Sequence, residues 1–177
     1  KKIIAQEYLK CAKDPAYFMK KYCFIQHPTR GRILFSLYPF QEKILHLFKD
    51  NQYIITLKSR QLGISTLSAA YSLWLMVFHK DKNVLALATT QATARNLVTK
   101  TIFMYDQLPK WLRLKSVEKN KLSLRLKNGS KISAKSSNAD AARSEAVSLL
   151  LIDEAAFIDN IDETYTAAQQ TLATGGQ

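Results

Sequence analysis

The spacing of apolar and polar positions changes period several times along the chain, and each change marks an element. Ile3 to Lys13 has helical spacing. Asp14-Pro15 reads as an N-cap followed by proline at the first helical position, opening a second helix over Pro15 to Tyr22. Gln26 to Leu37, interrupted by Pro28 and Gly31, predicts loop with some extended structure. Pro39 restarts a helix to about Lys49, with Ile44, Leu45 and Phe48 on one face. Tyr53 to Leu57 (YIITL) is a short β-branched run, predicted as a buried strand. Ser65 to His79 is apolar almost all round and predicts a helix with little exposure. Asn83 to Ala88 predicts a second buried strand, and Ser148 to Ile152 a third. Between them, Thr90 to Leu108 predicts a helix with Ala94, Leu97, Val98, Thr101, Met104 and Tyr105 on one stripe. A helix from about Asp162 to Leu172 follows the third strand. Strands alternating with helices predict an α/β fold, a parallel sheet covered on both faces.

One segment departs from this alternation. Leu122, Leu124 and Leu126 alternate with Ser123, Arg125 and Lys127; beyond Asn128-Gly129, Ile132 and Ala134 alternate with Lys131, Ser133 and Lys135. This is a β-hairpin with one oily and one basic face. A two-residue Asn-Gly loop would set Leu126 against Lys131 and mix the faces. A three-residue loop, Asn128 to Ser130, keeps them apart by pairing Lys127 with Lys131 and Leu126 with Ile132, with Gly129 left-handed.

The 177 residues carry a net charge of +12, which attracts polyanions; nucleic acid is the first candidate partner and an anionic membrane surface the second. Cys11 and Cys23, the only cysteines, make neither a disulfide framework nor a zinc site and read as partly buried thiols in a reducing compartment. Leu67 to Phe78 is too short to span a bilayer. The chain opens on Lys1 rather than Met, as a piece cut from a longer protein would.

Two places carry chemistry. Lys58-Ser59-Arg60-Gln61-Leu62-Gly63-Ile64-Ser65-Thr66 joins the first predicted strand to the apolar helix. Such a joint presents free backbone N–H groups and the positive end of a helix dipole, which together bind phosphate. Gly63 admits close approach of an anion, and Ser65 stands where a hydroxyl would ligate Mg²⁺. The match to a Walker A loop is partial: Lys58 occupies the place of the first glycine and Ile64 that of the lysine. Lys58 is therefore expected to reach the β- and γ-phosphates from the start of the loop, with Arg60 as a second cation. The second place is Leu149-Leu150-Leu151-Ile152-Asp153-Glu154, an apolar strand ending in two carboxylates, the Walker B pattern. Asp153 is expected to hold Mg²⁺ and Glu154 to orient and deprotonate the attacking water. Each place alone also reads as ordinary structure, a strand–turn–helix joint and a solvated acidic turn.

Tyr38-Pro39-Phe40-Gln41, Ser59-Arg60-Gln61-Leu62-Gly63 and Leu151-Ile152-Asp153-Glu154-Ala155-Ala156-Phe157-Ile158, in that order, resemble the large terminase subunits of tailed bacteriophages over about Leu37 to Leu172. The resemblance implies an ATPase domain of P-loop (ASCE, RecA-like) type in 38–177, with a parallel sheet flanked by helices, a basic β-hairpin insertion, and residues 1–37 as an N-terminal helical segment packed on the core. It implies that Gln41 reads the adenine edge, that Arg60 contacts the γ-phosphate, and that Arg143 is a trans-acting arginine finger. ATP and Mg²⁺ are the implied cofactors. Double-stranded DNA, a portal protein, a small terminase subunit and further copies in a ring are the implied partners, in the cytoplasm of an infected bacterium and without a membrane. Ile64, where many members have lysine, is a departure. The coupling motif and RNase H-like nuclease that follow in the family lie beyond Gly175-Gly176-Gln177, so no nuclease activity is expected of this chain. Lys121, Arg125, Lys127, Lys131 and Lys135 read first as a solvated strand face and second as a candidate surface for DNA phosphates. A helicase-type ATPase outside packaging, or a nucleotide- or DNA-binding module without turnover, are the alternatives to a packaging motor.

Overall fold

The structure, a computed structural model, describes residues 2–136, 146–172 and 175–177. Two helices open it, α1 (Lys2–Lys13) and α2 (Pro15–Tyr22). The Asp14 carboxylate accepts from the Ala16 N–H at 2.8 Å, so α2 starts at the predicted cap. The stretch read as loop with some extended structure lies in a two-stranded antiparallel hairpin, β1 (Phe24–His27) and β2 (Gly31–Leu34), and the chain that follows it. There follow α3 (Pro39–Asp50), α4 (Ile64–Phe78), β3 (Asn83–Ala88), α5 (Gln91–Gln107), β4 (Ser116–Lys119), β5 (Ser123–Leu126), β6 (Lys131–Ser136), β7 (Leu149–Ile152) and α6 (Ile161–Leu172).

The main sheet has five strands in the order β4-β5-β6-β3-β7. β3 is parallel to both β6 and β7, whereas β4–β5 and β5–β6 are antiparallel. The sheet is therefore mixed rather than parallel throughout. The basic hairpin is not an insertion beside it, because β6 lies within the sheet. On one face, Val84, Ala88, Leu124, Leu126, Ile132, Ala134 and Leu149 join a core with α4, α5 and the helices before them. Cys11, Phe18, Met19 and Cys23 belong to that same core, and both cysteines are fully buried free thiols. On the other face, Leu85 and Leu87 pack with Val147 and with Ala167, Ala168 and Leu172 of α6. No helix among the described residues is long and apolar enough to cross a membrane.

The hairpin turn has the predicted length but a different register. Leu124 faces Ile132 and Arg125 faces Lys131, and the Leu126 N–H bonds the Ser130 carbonyl at 2.8 Å. The loop is therefore Lys127–Gly129, shifted from Asn128–Ser130, with Gly129 left-handed at φ 85°. A shift of pairing by two keeps the faces separate, which is why patterning alone did not detect it. A neighbouring helix sets the choice. The Asn128 amide donates to the Met76 and His79 carbonyls at 2.8 and 3.0 Å, and the Ser130 hydroxyl to His79 at 2.9 Å. The turn thus caps the otherwise unsatisfied C-terminal carbonyls of α4.

The predicted strand Tyr53–Leu57 does not form. It pairs with nothing in the sheet, and Ile55 and Leu57 are 99% and 101% exposed. A buried parallel strand requires a partner edge, and the open edge of β7 is taken. The Gln177 N–H bonds the Ser148 carbonyl at 2.9 Å and its carbonyl accepts from Leu150 at 2.7 Å, a parallel-bridge pattern around Leu149. The Gln177 amide also donates to the Phe48 carbonyl and, at 2.6 Å, to that of Asn51. The C-terminal residues thus stand between β7 and the segment that would have paired with it.

Candidate functional site

Lys58 to Gly63 turn the chain from the unpaired segment into α4. Gln61 and Gly63 adopt left-handed backbone, with φ 62° and 71°. Gly63 is the N-cap of α4, and its carbonyl accepts from the Leu67 N–H at 2.9 Å. The first N–H groups of α4 have no intrahelical acceptor and mark the positive end of its dipole. Ile64, where a phosphate-binding lysine would stand, is 7% exposed, so its side chain belongs to the core and not to the site. Ser65 and Thr66 are half-buried at the mouth, while Lys58, Ser59, Arg60, Gln61 and Leu62 are exposed.

The acidic strand end meets this loop. The Asp153 N–H bonds the Leu87 carbonyl at 3.0 Å, which fixes the residue just past β7. The Ser65 hydroxyl donates to Asp153 Oδ2 at 2.7 Å, and Lys58 Nζ lies 3.9 Å from Asp153 Oδ1. Glu154 is exposed and left-handed at φ 55°, at the start of a short 3-10 turn, Ala155–Phe157. A side chain in that conformation costs roughly 1–3 kcal/mol, and such positions cluster at functional sites. Its N–H bonds Asp153 Oδ1 at 3.1 Å. The fold thus brings Ser65, Lys58, Asp153 and Glu154 into one place.

Gln41 is 2% exposed. Its oxygen accepts from the Tyr38 N–H at 3.1 Å and its nitrogen donates to the Leu62 carbonyl at 3.0 Å. It therefore closes the first turn of α3 and ties it to the Lys58–Gly63 loop. Tyr38 and Phe40 stack with ring centroids 5.6 Å apart and planes 7° from parallel, and both rings are exposed beside this tether. Arg143 lies outside the described residues. Lys121, Arg125 and Lys127 are exposed, whereas Lys131 and Lys135 are half-buried within the sheet.

A cation that sequence reasoning missed is Lys100 of α5. Burial pushes its pKa down; the attraction of Asp153 opposes that shift and the repulsion of Lys58 adds to it. The available signal was its position, since Lys100 falls between the buried Leu97 and Met104 on the same helical face.

The Ser65 hydroxyl and the Asp153 carboxylate are hard oxygen donors already in contact. They suit Mg²⁺, which takes one or two protein oxygens and completes its octahedron with water and substrate phosphate. No group of three or more His, Cys, Asp or Glu side chains able to hold a metal occurs among the described residues, so a dedicated all-protein cage is not what they form.

The family model of the terminase large subunit, T4-like-virus type, N-terminal, matches residues 55–177. The crystal structure of the bacteriophage HK97 large terminase superposes with a TM-score of 0.71 at 19% identity, covering 90% of this chain and 35% of that one. A mutant ATPase domain of the large terminase of Thermus phage P74-26 superposes with a TM-score of 0.63 at 17% identity, covering 79% of this chain and 62% of that one. This chain therefore spans about a third of the HK97 protein. The structural likenesses show a shared fold, and the family match extends over more than half of the sequence. The chain belongs to the N-terminal family of terminase large subunits of T4-like-virus type.

Proposed function

We propose that this chain is the ATP-hydrolysing motor domain of a viral terminase large subunit, which moves double-stranded DNA into a procapsid. The observation that carries the reading is the 2.7 Å contact between Ser65 and Asp153, which joins a phosphate-loop helix to an acidic strand end. In a P-loop NTPase of RecA-like type these are the two ends of one metal–triphosphate site. The backbone N–H groups at the start of α4 cradle the phosphates, and Lys58 takes over the role that Ile64 cannot fill. Arg60 reaches the γ-phosphate from the exposed loop. Ser65 and Asp153 hold Mg²⁺, which when bound neutralises charge on the phosphate oxygens. Glu154 accepts a proton from the attacking water. Gln41 positions the loop through Leu62, and its second N–H and second lone pair are those that an adenine edge would use. Arg143 acts in trans from a neighbouring copy in a ring.

A packaging motor must ignore sequence, so DNA contact falls on phosphates. The net charge of +12 and the exposed Lys121, Arg125 and Lys127, with Lys131 and Lys135 beside them, support such contact. Affinity then drops steeply with salt. A portal protein and a small terminase subunit are the proposed protein partners, and the cytoplasm of an infected bacterium the proposed location. A nucleotide-binding module without turnover is the second reading, favoured by the burial of Ile64. Steady-state ATP hydrolysis and equilibrium binding of a fluorescent ATP analogue test both. Glu154→Gln should bind ATP and fail to hydrolyse it, while Lys58→Ala should bind weakly. A wild-type protein that binds but never turns over, with Glu154→Gln indistinguishable from it, selects the second reading.

A further inference from the structure

Lys100 is a half-buried ammonium with an unusual set of neighbours. Beside it on α5, the Thr101 hydroxyl reaches the Ala69 carbonyl of α4 at 3.3 Å, one turn beyond Ser65. This part of α5 therefore lies against the first turns of the helix that opens the phosphate loop. The charges that act on the Lys100 ammonium are Asp153 and Lys58, the same two that face each other across the mouth of the loop. Among the described residues Lys100 makes neither a hydrogen bond nor an ion pair. A long aliphatic stem can lie along the helix while its head seeks a polar partner. The Asp153 carboxylate, already bonded to Ser65, attracts two ammonium groups that repel each other.

Ile64 supplies no cation to the loop. The usual lysine would rise from the first turn of α4, but that side chain is an apolar core residue here. The cationic surround of the loop must come from elsewhere, and two lysines share Asp153 as their charged neighbour: Lys58 at the start of the loop and Lys100 on α5. We propose that Lys100 is a phosphate-binding residue of the nucleotide site, contacting the terminal phosphates together with Lys58. This deepens the ATP-binding reading above and rests on it. The ligand class is a polyphosphate chain, so Lys100 should matter more for triphosphates than for a nucleoside or its monophosphate. Arginine should substitute in part, since it keeps stem and charge but presents a wider head.

Equilibrium binding of a non-hydrolysable fluorescent ATP analogue to wild type, Lys100→Met and Lys100→Arg tests this on the full chain in Mg²⁺ buffer. Losing one charge-assisted contact should weaken analogue binding about tenfold or more in Lys100→Met, with Lys100→Arg recovering most of it. Binding of the matching monophosphate analogue should change far less. A second measurement needs no variant: amine acylation read by mass spectrometry in wild type, with and without saturating analogue or inorganic tripolyphosphate. Modification of Lys100 should slow several-fold when either ligand is present. Wild-type affinity in Lys100→Met, or an unchanged acylation rate at Lys100 under saturation, overturns the assignment and leaves the ATP reading standing. Absence of any analogue binding to wild type brings down both.

Discussion

Gly63 and Gln41 should be energetically coupled, and the structure gives the size of the coupling. A methyl group at Gly63 meets two obstacles. The backbone there is left-handed at φ 71°, which costs a residue with a Cβ about 1–2 kcal/mol. The added Cβ would also lie 2.9 Å from Gln41 Nε2. The end of a glutamine is normally free to move aside, but this one is 2% exposed and held at both ends, to Tyr38 and to Leu62. Moving it sacrifices the bond to the Leu62 carbonyl, a further loss of about 1 kcal/mol. Gly63→Ala should thus cost about 2–3 kcal/mol in wild type. In a Gln41→Ala background the second obstacle is gone, and the same substitution should cost about 1 kcal/mol less. Urea unfolding of the four proteins of the cycle measures this directly. Additivity within about 0.5 kcal/mol would mean that Gln41 is not braced against the loop, and the account of it as a tether would fail. The same cycle read by ATP-analogue binding separates two effects. The new methyl blocks anion approach in both backgrounds, whereas Gln41→Ala alone removes the tether and loosens the loop without blocking it.

Three further outcomes follow from other parts of the molecule. Asn128→Ala removes the donor to the Met76 and His79 carbonyls and should cost about 1–3 kcal/mol in urea unfolding; no loss would mean that water caps α4 equally well. The Glu7 carboxylate accepts bonds from Lys21, Tyr22 and Tyr17, which, in that order of strength, lower its pKa from 4.5 to about 2. A depressed folded-state pKa stabilises fully above 4.5 and loses that contribution as pH falls toward 2, so the melting-temperature gap between wild type and Glu7→Gln should close across that window; a gap constant from pH 5 to 2 refutes it. Asp153→Asn keeps an acceptor for the Ser65 hydroxyl but removes the charge, and should raise the Mg²⁺ concentration needed for half-maximal nucleotide binding; an unchanged requirement would place the metal elsewhere.

Elements whose determinants lie close together in sequence were legible there. The Asp14-Pro15 start of α2 and the buried stripe of α5 from Ala94 to Tyr105 each follow from a few nearby residues. What depends on a distant partner was not. YIITL has the composition of a buried strand, yet a strand exists only with an edge to pair to, and Gln177 occupies that edge. The hairpin loop length was correct because face separation demanded it. Its register was not, because Asn128 and Ser130 serve the end of α4, a contact that patterning within the hairpin cannot reveal. The candidate site divides in the same way. Loop and acidic strand end were recognisable as motifs, but Gln41 as a loop tether and Lys100 as a neighbour of Asp153 required the fold.

α4 is what makes these long-range contacts converge. Its first turn supplies Ser65 and the free N–H groups, its middle receives Thr101 of α5, and its last carbonyls are capped by the hairpin turn. It is buried along almost its whole length, so it cannot shift at one end without repacking the rest. A displacement at the phosphate loop would be felt through that single rigid body at Asn128 and Ser130, next to the basic strands β5 and β6. On the motor reading proposed above, with the exposed basic residues on DNA phosphates, α4 would link nucleotide state to DNA grip. Weakening its far cap with Asn128→Ala should then loosen the dependence of DNA affinity on bound nucleotide before it reduces nucleotide affinity itself. The reverse order, nucleotide binding lost first, would show that α4 does not carry the signal.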